Sequence, residues 1–185
     1  MNLHAASLRW AIKHILEEGD TDLLPIPFEF AVIRNQWAVF QRRAELIQIE
    51  GHVWSGTRRF VAPKAEFSFR SVCQLEPIDS ILFAAPIRQI GAQIERKRVS
   101  TDKERVFSNR FRPKQNGQMY SHQRSWEGFW SRSCTLASLH SHVLMTDITD
   151  FYNQIYHHAV ENELAVCGMP KDVIHTIKNF LVDRR

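Results

Sequence analysis

Cysteine is scarce in this chain. The three residues Cys73, Cys134 and Cys167 are widely spaced with no CxxC pair, so neither a disulfide framework nor a thiolate zinc site is implied, and a reducing compartment fits. Glycine and proline number 7 each, which excludes collagen-like and linker-like chains. No apolar run approaches the roughly 20 residues of a membrane-spanning helix. The start, MNLHAASLRWAIKH, lacks the basic flank, apolar stretch and small-residue cleavage site of a secretory leader. These absences set the expectation of a cytoplasmic chain with no membrane partner. Repeats, low-complexity tracts and clear linkers are also lacking. What remains is 185 residues with 44% hydrophobic and 24% charged side chains, about one ordinary globular domain able to bury its own core.

The formal charge of +4 is modest, but its distribution is uneven. Between Arg88 and Arg132 the cations Arg96, Lys97, Arg98, Lys103, Arg105, Arg110, Arg112, Lys114 and Arg124 outnumber Glu95, Asp102, Glu104 and Glu127. Phe107, Phe111, Tyr120, Trp126, Phe129 and Trp130 interleave with them. Such a stretch suits a surface that neutralises phosphates and offers flat groups to bases. It equally suits a solvated basic face over buried aromatics.

Periodicity predicts an α+β chain. Leu8, Ile12, Ile15 and Leu16 mark a helix over 5–18 closed by Gly19. A turn at 22–28 precedes a long helical pattern over 29–45. The stretch 46–72 reads as β-strands broken at Gly51, Gly56 and Pro63. A helix follows from Pro77 or Asp79, with Pro86 expected to end or kink it. Residues 125–142 read as a helix whose bulky face, Trp126, Phe129 and Trp130, should be buried. Residues 143–148 read as a buried strand, and 156–167 as a helix stopped by Gly168 and Pro170, with a last helix after it.

The chemistry concentrates in TDITDFYNQI, residues 146–155. An acidic residue, Asp147, stands at the end of an apolar run with aromatics four and five positions on. Phosphoryl transfer with two metal ions needs a carboxylate held rigidly, and a strand end supplies that rigidity. Tyr152 can fold back over the same pocket, while Ile155 anchors the turn that follows.

This segment resembles motif A of reverse transcriptases, an aspartate followed by two aromatics and an isoleucine or valine. FVAPKAEFSFRSV (60–72) is similar to the fingers hairpin of that family, and QLEPIDSILF (74–83) to the stretch after it. VFSNRF (106–111), WEGF (126–129) and DITDFYNQIYHHAVENEL (147–164) resemble, in that order, bacterial defence-associated and abortive-infection members. The resemblance covers most of 28–170. It implies a right-hand polymerase in three parts: an N-terminal helical region over 1–50, fingers over 51–142 and proximal palm over 143–185. By the same resemblance Asp147 is the catalytic carboxylate. With the backbone carbonyl of Ile148 it would hold Mg2+, or Mn2+ in its place. Tyr152 would be the steric gate that favours dNTPs, and Lys64 and Arg70 would grip the triphosphate. RNA template and DNA primer, or a non-coding RNA, are the implied partners.

Two departures stand beside the matches. The turn AEFS (65–68) has no glycine, and no Tyr-x-Asp-Asp element, the family's source of its remaining carboxylates, occurs in the chain. The resemblance is therefore to an N-terminal piece of such a polymerase, without distal palm and thumb, and the 185-residue chain is expected to be inactive by itself. Plainer readings remain beside these assignments. Asp147 or Asp150 can cap a helix, Tyr152 can be a core aromatic, Arg70 can form a surface ion pair, and Lys64 can simply be solvated. A metallohydrolase built on His140, His142, His157 and His158 is a rival enzyme class. A non-catalytic nucleic-acid binder is the rival outside enzymes.

Overall fold

The computed structural model describes residues 1–19, 23–121, 125–149 and 151–182, with the side chains of Ala65, Tyr152 and Asn153 outside that description. Helix α1 (Ala5–Glu18) buries Leu8, Trp10, Ala11, Ile12 and Ile15 and ends at Gly19, whose φ of 79° only glycine adopts cheaply. The long pattern over 29–45 is divided into α2 (Glu29–Asn35) and α3 (Trp37–Ala44). Gln36, at φ −105° and ψ 29°, leaves helical geometry between them.

The expected strands over 46–72 are fewer than the pattern suggested. Residues 46–57 hold only a single 3-10 turn, Ile49–Gly51. One antiparallel hairpin forms from β1 (Arg58–Ala65) and β2 (Ser68–Gln74), with a register shift between Pro63 and Ala65. A second, shorter ribbon pairs β3 (Arg110–Phe111) with β4 (Tyr120–Ser121). The architecture is thus mixed helix and strand, α+β, with two separate two-stranded sheets.

Pro86 neither ends nor divides α4 (Pro77–Lys97). A proline inside a helix costs about 3 kcal/mol through its missing N–H and its ring. Here Pro86 is itself buried, and Ile81, Leu82, Ala84, Ala85 and Ile90 around it are buried as well. Each large apolar side chain so placed returns roughly 1.5–3 kcal/mol, so packing against α1 outweighs the local defect. The main core joins α1 and α4 to Phe30, Ile49 and Trp54.

Helices α5 (Ser125–Ala137), α6 (Phe151–Gln154), α7 (His157–Val166) and α8 (Lys171–Val182) complete the chain. A smaller cluster of Ile90, Leu164, Met169, Val173 and Ile177 packs α7 and α8 on α4. Phe180 then reaches the main core, stacked on Phe83 at 3.6 Å and edge-on to Trp54 at 4.9 Å. The amino terminus is held by Glu50 and by Asp172, the latter at 3.0 Å. Among the described residues no helix is long and apolar enough to cross a membrane.

Candidate functional site

The hairpin β1–β2 is anchored at its base and free at its tip. Arg58 donates to Glu76 through Nε and Nη2, each at 2.9 Å, and to Glu29 through Nη2 at 2.9 Å, tying the hairpin root to the starts of α4 and α2. These bonds, that to Glu76 first, raise the guanidinium's pKa further. The backbone bonding at Glu29, and then Arg58, hold its carboxyl below the usual range. Val72 and Gln74 are buried at the base, and the Gln74 amide donates to the Pro25 carbonyl at 3.2 Å.

Beyond that base the hairpin stands in solvent. Lys64 and Arg70 are both exposed, as are Phe67 and Phe69. Arg70 sits opposite Ala62, two positions before Lys64 on the partner strand. Strand alternation would put the two cations on one face, but the register shift falls at Lys64. Neither makes an ion pair among the described residues.

Asp147 lies elsewhere. Residues 143–148, expected to form a buried strand, have no regular structure. Val143 (65%), Leu144 (89%), Met145 (72%) and Ile148 (65%) are exposed. The correction has a physical reason: a strand needs a neighbour, and among the described residues each sheet has two strands and neither pairs with this segment. Asp147 lies four residues before the single turn of α6. The side chain of Tyr152 and the whole of Asp150 lie outside the described residues. Asp147 has no hydrogen bond or ion pair to Lys64 or Arg70 among the described contacts.

One exposed carboxylate with the Ile148 carbonyl would supply two of the six oxygen ligands that Mg2+ takes, and water and substrate phosphates ordinarily supply the rest. No group of three or more His, Cys, Asp or Glu side chains that could hold a metal occurs among the described residues. The histidine set fares no better, since His140 and His142 lie exposed in irregular chain. His158 Nδ1 instead lies 3.1 Å from Glu161 Oε2. Lys178, and then His158, hold the Glu161 carboxyl below its ordinary value.

The cationic stretch divides into neutralised and free parts. Glu95 pairs with Arg98 at 3.1 Å and with Arg110, and it accepts the Phe111 N–H at 3.0 Å. Burial pushes its carboxyl up, but the Phe111 N–H and the two guanidiniums overcome that and leave it below the ordinary value. Arg132 pairs with Glu104 at 3.2 Å. Arg105, Arg112 and Lys114 remain exposed.

Helix α5 departs from expectation in the same region. Its aromatic face is not buried: Trp126 is 69% and Trp130 39% exposed. The rings pack on one another instead, Trp126 stacked on Phe129 at 5.8 Å and edge-on to Trp130 at 5.6 Å. Phe107 closes the group at 6.0 Å from Phe129. Arg105, Val106, Phe107, Trp126 and Phe129 line an open hollow of about 580 Å³.

Sequence reasoning missed a second built site. Asp79, 1% exposed, accepts the Ser55 N–H at 2.7 Å and lies 3.0 Å from His52 Nε2. An acid in the first turn after Pro77 was its only local signal. Comparison with known proteins adds no identity: the chain matches no family model, no curated protein and no solved structure.

Proposed function

We propose that this chain is the fingers and proximal palm of a reverse transcriptase of the bacterial anti-phage type, in which a primer 3′-hydroxyl attacks a dNTP. The observation that carries the reading is the hairpin over 58–74. The segment likened to the fingers hairpin is an antiparallel hairpin rooted by Arg58, with free cations Lys64 and Arg70 toward its tip. Free guanidinium and ammonium groups are the chemistry that grips a triphosphate. The apolar exposure of 143–148 also supports it, since such a run ahead of Asp147 suits a strand that pairs with further palm chain carrying the missing carboxylates. In this reading Mg2+ or Mn2+ binds only in the completed palm, RNA template with DNA primer or a non-coding RNA is the partner, and the compartment is the cytoplasm.

Primer extension on an RNA template tests it. The 185-residue chain should incorporate no dNTP. A longer chain read through in frame to a Tyr-x-Asp-Asp element should incorporate it, and Asp147→Asn should abolish that. Incorporation that survives Asp147→Asn, or a downstream frame without such an element, refutes the proposal. A non-catalytic nucleic-acid module is the second reading, favoured by the isolation of Asp147 and the exposed rings of Trp126 and Trp130. It expects salt-dependent RNA binding unchanged by Asp147→Asn.

A further inference from the structure

A cleft of about 670 Å³ lies where the start of α1 meets α4, lined by Arg9, Lys13, Arg88, Trp10, Gln89 and Gln115 among others, with no acidic residue in its lining. Its walls are built and fixed. Gln89 accepts the His4 N–H at 3.0 Å and donates to the Asn2 carbonyl at 3.2 Å. On the other side Trp10 Nε1 donates to the Lys114 carbonyl at 2.7 Å, and His14 Nδ1 lies 2.9 Å from the Gly117 carbonyl. Those bonds lay the loop 112–118 along α1. Gly117 makes the approach possible: at φ +107° its Cα faces the backbone of Lys13 and His14, and a Cβ would fall 2.6 Å from them.

The charge in the cleft is uncompensated. Arg88 is half-buried, its guanidinium 5.7 Å above the Trp10 ring. Arg9 and Lys13 share a face of α1 one turn apart, about 6 Å along the axis. Arg9 donates to Gln41 Oε1 at 3.3 Å and Lys13 to the Gln115 carbonyl at 3.4 Å. None of the three pairs with a carboxylate among the described residues. A half-buried cation without a counter-charge is costly unless an anion supplies one. The first turn of α1 also carries no acid, so its dipole adds to the positive field.

We propose that this cleft binds the phosphodiester backbone of a single-stranded nucleic acid, at a place separate from the Lys64 and Arg70 hairpin and independent of any role for Asp147. Extended polyanion is favoured over a compact one because the cations continue beyond the cleft. Arg112 and Lys114 stand exposed on the loop that closes it, and Arg112 also lines a hollow with half-buried Phe107 and with Ser125, the first residue of α5, next to the exposed Trp126 ring. Phosphates in the cleft and bases on the rings form one continuous track.

Fluorescence anisotropy with 12-nucleotide oligo(U) and oligo(dT) tests the proposal and separates RNA from DNA. For single strands each lost phosphate contact lowers the salt slope by about 0.7. Arg9→Gln with Lys13→Gln should therefore reduce the slope by about 1.4 and weaken binding about 25-fold at 0.1 M salt. Lys171→Gln, an exposed lysine on α8, should change the slope by less than half that amount. On the unaltered protein, oligo(U) or oligo(dT) should protect Lys13 from acetylation and leave Lys171 reactive. Unchanged slopes with Lys13 still reactive would overturn the proposal. So would an oligoglutamate peptide that protects Lys13 as well as the oligonucleotides do.

Discussion

Replacing Asp79 by alanine should be the most damaging single polar substitution in the chain. Its carboxylate is 1% exposed and accepts a backbone N–H from Ser55 at 2.7 Å and the His52 ring at 3.0 Å. Hydrogen bonds to a charged group contribute roughly 1.5–3 kcal/mol each, and a buried donor left without an acceptor costs a further 1–3 kcal/mol. Partial relaxation and water entry reduce the sum, so we expect a loss of about 3 kcal/mol. For a chain of this length that is a fall in melting temperature of about 6–12 °C. The damage should spread by a definite route: His52 meets Trp54 edge-on at 4.7 Å, and Trp54 meets Phe180 of α8 at 4.9 Å. Urea unfolding followed by circular dichroism gives the stability, and hydrogen exchange at α8 reports the spread. His52→Ala alone should cost about 1 kcal/mol and couple to Asp79→Ala by at least 0.5 kcal/mol. A loss below about 1 kcal/mol for Asp79→Ala, or strict additivity with His52→Ala, refutes the view that this carboxylate holds the 52–55 loop to α4.

Gly117→Ala should lower stability by about 2 kcal/mol or more through strain and backbone collision, and should weaken oligonucleotide binding with it, both measured on the same preparation. Glu95 has a folded pKa below its unfolded value near 4.3. Its contribution is therefore present above about pH 4.3 and lost as pH falls through the lowered value. Glu95→Gln should flatten the urea midpoint against pH below about pH 4.5, and an unaltered profile would refute the assignment. Trp126→Ala should lower stability by about 0.5–1.5 kcal/mol through its lost contacts with Phe129 and Trp130 and weaken oligo(U) binding by about 1–3 kcal/mol if a base stacks there.

Helix α1 and the last two helices were legible because their signals are local: an apolar stripe, Gly19 and Gly168 as stops, and Pro170 before the start of α8. Pro86 misleads because the rule against proline counts only the local backbone, whereas Pro86 here is fully buried within α4. Residues 143–148 mislead for the opposite reason. Apolar and β-prone residues specify a strand only when a second strand lies alongside, and that partner is a non-local fact. The same limit hid the Glu95 hub, whose partners come from its own helix end and from β3, and the cleft that joins Arg9 and Lys13 to Arg88, more than seventy residues further along the chain. Even the aromatic face of α5, correctly placed on one side, was assigned to a core that the fold does not provide.

That failure separates two kinds of exposed surface that composition alone merges. The hairpin mixes Phe67 and Phe69 with Lys64 and Arg70, and the α1–α4 cleft sets Arg88 over Trp10, so in both places cations accompany aromatic rings. Such surfaces draw polyanions and screen with salt. Residues 143–148 carry Val143, Leu144, Met145 and Ile148 with Asp147 as the single charge, and a phosphate backbone would be repelled there. The physical chemistry of that run therefore asks for protein, in the form of a strand that satisfies its backbone and covers its apolar side chains. Under the proposed function, such a strand would also give Asp147 the rigidity and the neighbouring carboxylates that nucleotidyl transfer demands.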